Sequence, residues 1–111
     1  MTQQVAVSYS IPAEQPQPSI GRIVHVSVDP ASNNGSDVAA AIITRVWSKE
    51  LVNIRILSDS AANPEWKTSV ALVANQQAAM DIVAKRRATI EPSESTLWRV
   101  AGLIAYWPER N

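Results

Sequence analysis

Arginine and tryptophan are the residue types in this sequence best suited to binding a ligand, and several lie on or beside apolar, strand-like segments. A guanidinium group binds phosphate through a planar fork of N–H donors, and an indole ring stacks on a nucleobase. Together they favour a planar, anionic ligand of the nucleotide type. The candidate ligand-binding residues are therefore Arg22, His25, Arg45, Arg55 and Trp107.

Each candidate also has a purely structural interpretation. The arginines suit solvent-facing strand positions paired with nearby acids, namely Glu50, Asp59 or Glu65. A lone histidine is commonly a partly buried side chain with satisfied nitrogens, and tryptophan is commonly core or subunit interface. The run 85–87, Lys-Arg-Arg, suits a solvated helix end. The sequence leaves both interpretations open.

Residues for catalysis and metal binding are scarce. The chain has no cysteine and one histidine, which excludes thiol catalysis, Cys-ligated zinc and any mechanism that needs two imidazoles in one chain. Its three glycines form neither a phosphate-binding loop nor a serine nucleophile elbow. We therefore predict no catalytic residue, no metal site and no cofactor, and expect a protein that is not an enzyme.

Composition narrows the class of protein further. The 111 residues are 46% apolar and carry ten basic and ten acidic side chains, so the net charge is zero. That balance disfavours general nucleic-acid binding and a polybasic membrane-surface protein. The longest apolar stretch, 100–107, is far shorter than the roughly 20 residues of a spanning helix. Residues 1–5 lack the features of a signal peptide. We expect a single domain in a cytoplasm, with no membrane partner.

The elements that must position the candidate residues are mostly strands. Segments rich in β-branched residues are separated by turn chemistry at 29–36, 48–50 and 58–64. We predict strands over 20–28, 37–47, 51–57 and 66–73. The fold class is thus mainly β (α+β), a small antiparallel β-barrel or sandwich of five to six strands.

One helix is predicted around residues 75–88. Asn75 is a suitable N-cap, and residues 76–87 contain good helix formers without glycine or proline. The segment 97–107 fits either a helical stripe or a strand, and its Gly102, β-branched residues and aromatics favour a strand.

Residues 1–19 are predicted to form an extended N-terminal arm, and residues 20–111 a single β-rich domain. Val5, Val7 and Tyr9 alternate with small residues, and three prolines follow within 11–19. Apolar side chains at alternate positions gain nothing if they stay exposed to water. We therefore expect the arm to pack on a second subunit and the protein to form a homo-oligomer.

Three blocks of the sequence resemble a group of small, uncharacterised bacteriophage and prophage proteins. The blocks are Ile-Gly-Arg-Ile-Val-His at 20–25, Ala-Ala-Ile-Ile-Thr-Arg-Val-Trp at 40–47 followed by Val-Asn at 52–53, and Trp-Pro-Glu at 107–109. The chain departs from the group at Val26, where a tyrosine is usual, at 104–106, where Thr-Trp-His is absent, and in the helical stretch 75–90. The resemblance implies a phage origin.

Two functions fit a small, non-enzymatic phage protein. One is an anti-defence binding protein, a sponge that sequesters a nucleotide immune signal in the host cytoplasm within an oligomer. The other is a virion accessory component, a capsid decoration or tail protein with capsid or tail proteins as partners. The arginine and tryptophan content favours the first, and the Pro-rich arm is compatible with both.

Overall fold

Five strands and two α-helices form the fold in the computed structural model, which describes residues 15–61 and 63–108. The strands are β1 (Ile23–Ser27), β2 (Val38–Ser48), β3 (Leu51–Leu57), β4 (Glu65–Val73) and β5 (Ala105–Tyr106). The helices are α1 (Gln76–Arg87) and α2 (Ser95–Ala101), and a short 3-10 turn spans Pro30–Ser32.

The strands close into a barrel in the order β1-β2-β3-β4-β5. Neighbouring strands are antiparallel, except that β5 runs parallel to β4 because α1 and α2 connect the two. The upper end of the barrel is the end where β1 leads into β2, and the lower end is where β2 turns into β3. The predicted mainly β fold with a small barrel is confirmed.

The interior of the barrel is filled by the inward-facing half of each strand. Val24, Val26, Ile43, Ile54 and Leu72 are all fully buried there. Alternation in the strands places their sequence neighbours outside, as a period of two requires. The interior is therefore a packed apolar core.

Helix α1 matches the residues predicted for it. The Asn75 side chain accepts a hydrogen bond from the Ala78 N–H at 2.9 Å, which caps the first turn. Its buried residues Ala79 and Val83 form a second apolar cluster with Ile104 and Tyr106 on the outside of the barrel. The helix covers the β4–β5 side of the molecule.

The predicted strand over 97–107 is wrong in its first half. Residues 95–101 are helical, and only Ala105–Tyr106 is a strand. A parallel partner for β4 must return from the lower to the upper end, and α2 completes that return. Gly102 then ends α2, where the Arg87 guanidinium occupies the space that a Cβ would need.

A segment without regular structure crosses the lower end of the barrel before β1. The Gln15 side-chain amide donates to the carbonyls of Lys49 at 3.2 Å and Leu72 at 3.1 Å, and Pro18 is buried. Gly21, at φ +93°, donates its N–H to the Ile43 carbonyl at 2.8 Å. Of the predicted arm, residues 1–14 lie outside the described residues.

Candidate functional site

One side of the barrel, formed by β2, β3 and β4, presents arginine and tryptophan side chains away from the helices. Helix α1 packs on β4 and β5, which leaves this side open. We call it the outer face and define it by the outward residues Arg45, Trp47, Asn53, Arg55, Trp66 and Thr68.

Arg45 and Trp47 form a stacked pair near the lower end of β2. The Arg45 Cζ lies 4.0 Å from the centroid of the Trp47 ring, a cation–π distance. Both project outward because β2 has irregular register around residues 44 and 47. The Trp47 side chain is 50% exposed, so part of the indole is open to a ligand.

The Asn53 side chain fixes the orientation of the Trp47 indole in this pair. Its Oδ1 accepts hydrogen bonds from Trp47 Nε1 at 2.9 Å, Thr68 Oγ1 at 2.9 Å and the Ser69 N–H at 2.8 Å. The β3–β4 register shifts at this residue, and Ser69 has a positive φ of 56°. A buried amide therefore satisfies a β-bulge and orients an exposed indole at the same time.

Arg55 and Trp66 are direct cross-strand partners on β3 and β4. Side chains at such positions lie side by side on one face of a sheet. Trp66 is 51% exposed, and Arg55 makes one long contact, from Nη1 to the Pro64 carbonyl at 3.4 Å. The second arginine of the outer face therefore also stands beside a half-exposed indole.

The charge of the outer face is entirely positive. Among the described outward residues of β2, β3 and β4, none is acidic. Glu65 pairs in register with the buried Ile56, so it lies on the inward side at the upper end and forms an ion pair with Lys67 at 3.1 Å. In the described part of the chain, neither arginine of the outer face has a carboxylate partner.

Arg22 and Trp107 lie together at the lower end, away from the outer face. The Arg22 Cζ is 5.0 Å from the Trp107 ring centroid, but Trp107 is only 5% exposed and belongs to the barrel core. Its Nε1 is buried without a hydrogen-bond partner among the described residues. This pair closes the base of the core and leaves little indole surface for a ligand.

His25 lies on the outside of β1, beside the cluster under α1. Its ring meets that of Tyr106 edge to face, with centroids 5.7 Å apart. Burial, with a smaller contribution from the negative charge of Asp37, raises the pKa of Tyr106 above its ordinary value of 10.0. His25 is half-buried in this aromatic contact and not adjacent to Arg45 or Arg55.

A cleft of about 780 Å³ opens at the upper end, between the barrel and the two helices. Met80, Val83 and Leu103 supply apolar lining. The charged lining is mixed in sign: Asp29, Asp37, Glu65, Lys67, Arg87 and Arg99. Because these charges balance, the cleft has no evident preference for an anion.

The five predicted ligand-binding residues fall in three places: Arg45 and Arg55 on the outer face, Arg22 against the buried Trp107 at the lower end, and His25 on the outside of β1. Sequence reasoning did not assign Trp47, Trp66 or Asn53 to the site. The signal for Trp47 was the spacing Arg-x-Trp at 45–47, which puts both side chains on one face of a strand. For Asn53 it was an amide within an otherwise apolar strand.

Fold and site together define a small closed β-barrel with an arginine- and tryptophan-bearing outer face. No known family model, curated protein or solved structure matches the chain. Within residues 15–61 and 63–108, no cluster of three or more His, Asp or Glu side chains could hold a metal ion. None of the helices described is long and apolar enough to span a membrane.

Proposed function

We propose that this is a non-enzymatic, phage-encoded binding protein that sequesters a nucleotide-type signal of host defence on its outer face. The observation that carries the proposal is that two arginines without a carboxylate partner among the described residues each lie beside a half-exposed indole, Arg45 beside Trp47 and Arg55 beside Trp66. Guanidinium groups bind phosphate and indoles stack on bases, so the two pairs match the two parts of a nucleotide.

Thermal-shift measurements with cyclic dinucleotides and adenosine-diphosphate-ribose derivatives test the proposal. A ligand at 100 times its Kd stabilises the folded state by about 2.7 kcal/mol, which raises the Tm of a domain of this size by several degrees. We expect such a shift for at least one compound. The absence of any shift across the panel would contradict the proposal.

Two substitutions on the outer face identify the site. Arg45→Ala and Arg55→Ala each remove an exposed guanidinium without cutting into the core, so we expect the unliganded Tm to stay within a few degrees of wild type. The ligand-induced shift should disappear in both. Arg99→Ala, an exposed arginine on α2 at the cleft, is the matched control and should keep the full shift.

We also propose that the protein acts as a homo-oligomer in the host cytoplasm, assembled through its N-terminal arm. Gln15 ties the start of the described chain to the lower end of the barrel. A variant lacking residues 1–14 keeps that anchor. Its mass by light scattering should fall to that of a smaller species, and an unchanged assembly would contradict this role of the arm.

A virion accessory role is the second candidate. It is favoured by the Pro-rich stretch 11–19, since extended arms of this kind commonly lie on neighbours in capsid lattices. Mass spectrometry of purified virions tests it directly. Stoichiometric recovery of the chain would favour the virion role, and its absence from virions would favour the sequestering role.

A further inference from the structure

We propose that the outer face binds a ligand with two bases separated by two phosphates, each base stacked on its own tryptophan. The inference rests on the proposed function and narrows its ligand class. It comes from the order of the four side chains along the sheet: Trp66, Arg55, Arg45 and Trp47.

That order follows from the strand register. Trp66 is the cross-strand partner of Arg55, and Arg45 is the partner of Asn53, two residues before Arg55 on β3. Trp47 follows two residues after Arg45 and contacts its guanidinium. The face therefore reads aromatic, cation, cation, aromatic on a diagonal across three strands.

The diagonal is too long for one nucleotide. Adjacent strands are about 4.8 Å apart and rise about 3.3 Å per residue, so two strands and about four residues separate the Cα atoms of Trp66 and Trp47 by roughly 16 Å. The cations are closer, because one strand and two residues separate Arg55 from Arg45. A ligand with two phosphates between two bases presents its groups in the matching order: base, phosphate, phosphate, base.

Trp47 is held ready to stack. Arg45 covers one side of the ring at 4.0 Å, and Nε1 is occupied by Asn53, so the remaining exposed surface offers stacking and no directional hydrogen bond. Such a surface accepts different bases. The ring needs no reorientation when the ligand arrives, which limits the entropy cost of binding.

The two arginines supply charge where a diphosphate or a pair of phosphodiesters would lie. Neither has a carboxylate partner among the described residues, so binding displaces no internal ion pair. The shared chemistry occurs in linear dinucleoside diphosphates and in cyclic dinucleotides. A molecule with one base engages only one of the two indoles.

Isothermal titration calorimetry of the full chain distinguishes these classes, with diadenosine diphosphate, cyclic di-adenosine monophosphate and ADP as probes. We expect one molecule of a two-base ligand per chain, bound at least about tenfold more tightly than ADP. Trp47→Ala and Trp66→Ala should each weaken that ligand by about tenfold, within the range for loss of base–aromatic stacking. Trp47→Phe and Trp66→Phe keep a stacking ring and should retain most of the affinity.

The remaining outcomes separate the two proposals. Tighter binding of the linear or of the cyclic probe shows which class of two-base ligand the outer face binds, and either result supports the inference. If ADP binds as tightly as both two-base probes in a manner that Arg45→Ala abolishes, the two-base inference is overturned while the proposed function stands. If no probe binds and the broader thermal-shift panel is also silent, both are overturned.

Discussion

Asn53 is the residue on which the geometry of the outer face depends. One carbonyl oxygen accepts from an indole, a hydroxyl and a backbone N–H, and the residue itself is only 6% exposed. No hydrophobic residue of similar size could replace these three bonds. The amide therefore couples the local fold of β4 to the orientation of Trp47.

We expect Asn53→Ala to lower the free energy of unfolding by about 2 kcal/mol, because it leaves the Ser69 N–H and the Thr68 hydroxyl without their acceptor. Urea unfolding measures the loss. Asn63→Ala, in an exposed loop, is the control and should change stability by less than about 0.5 kcal/mol. Equal effects of the two substitutions would show that the Asn53 contacts contribute nothing to stability.

Tyr106 gives the protein a specific sensitivity to high pH. Burial and the charge of Asp37 raise its pKa, so the folded state favours the neutral phenol more than the unfolded chain does. The stabilisation is complete below the unfolded value of about 10 and is lost as the pH rises through the raised folded pKa. Chemical unfolding at a series of pH values should show wild type losing stability above about pH 10 more steeply than Tyr106→Phe. Parallel curves would contradict this assignment.

At the scale of elements, one side chain of α1, that of Arg87, bonds directly to α2. Helix α2 has seven residues, no side-chain cap at its N-terminus and one buried residue, Ala101. Arg87 donates from Nε and Nη2 to the Trp98 carbonyl at 3.0 and 2.9 Å, and its Cζ lies 4.6 Å from the Trp98 ring. So short a helix is not stable alone in water.

We therefore expect Arg87→Ala to release α2 while the barrel stays folded. Hydrogen exchange should accelerate across residues 95–101, and global stability should fall by about 1–2 kcal/mol. Arg86→Ala removes a neighbouring exposed arginine and should leave exchange in α2 unchanged. Undisturbed protection of α2 in the Arg87 variant would show that other contacts hold it.

Helices and strands are predictable from the sequence where one local signal, such as strict alternation or a clear N-cap, is strong. Residues 51–57 alternate along a strand and have the predicted bounds, and the helix predicted around 75–88 after a clear N-cap spans 76–87. The segment 97–107 carries weak versions of both periods, and its structure is decided by the parallel closure of the barrel, a tertiary constraint. The site was partly predictable: Arg55 follows from the alternation of β3, whereas Arg45 faces outward only because of the bulge at residue 44. Trp66 joins them only through the β3–β4 register.

At the scale of the whole molecule, the barrel and α1 should unfold as one unit. Leu72 is fully buried beside the β4–β5 seam, and the cluster under α1 uses residues from both of those strands. We expect Leu72→Ala to cost about 3 kcal/mol, with circular dichroism and tryptophan fluorescence reporting the same transition. Leu57→Ala, at a partly exposed position, should cost less than about 1 kcal/mol. Separate transitions would indicate that α1 unfolds independently.

The pairing of β1 with β5 also bears on how the protein is made in the cell. His25 and Val26 of β1 pair with Tyr106 and Ala105 of β5. The edge of β1 that faces β5 therefore stays unpaired until β5 has been synthesised. During translation the earlier strands leave the ribosome before residue 106 does, and until then both edges of the four-stranded sheet, β1 and β4, are unpaired. Unpaired strand edges form backbone hydrogen bonds with strands of other chains, which leads to aggregation. We expect the nascent chain to need protection by a chaperone, or rapid completion of synthesis, until the ring closes.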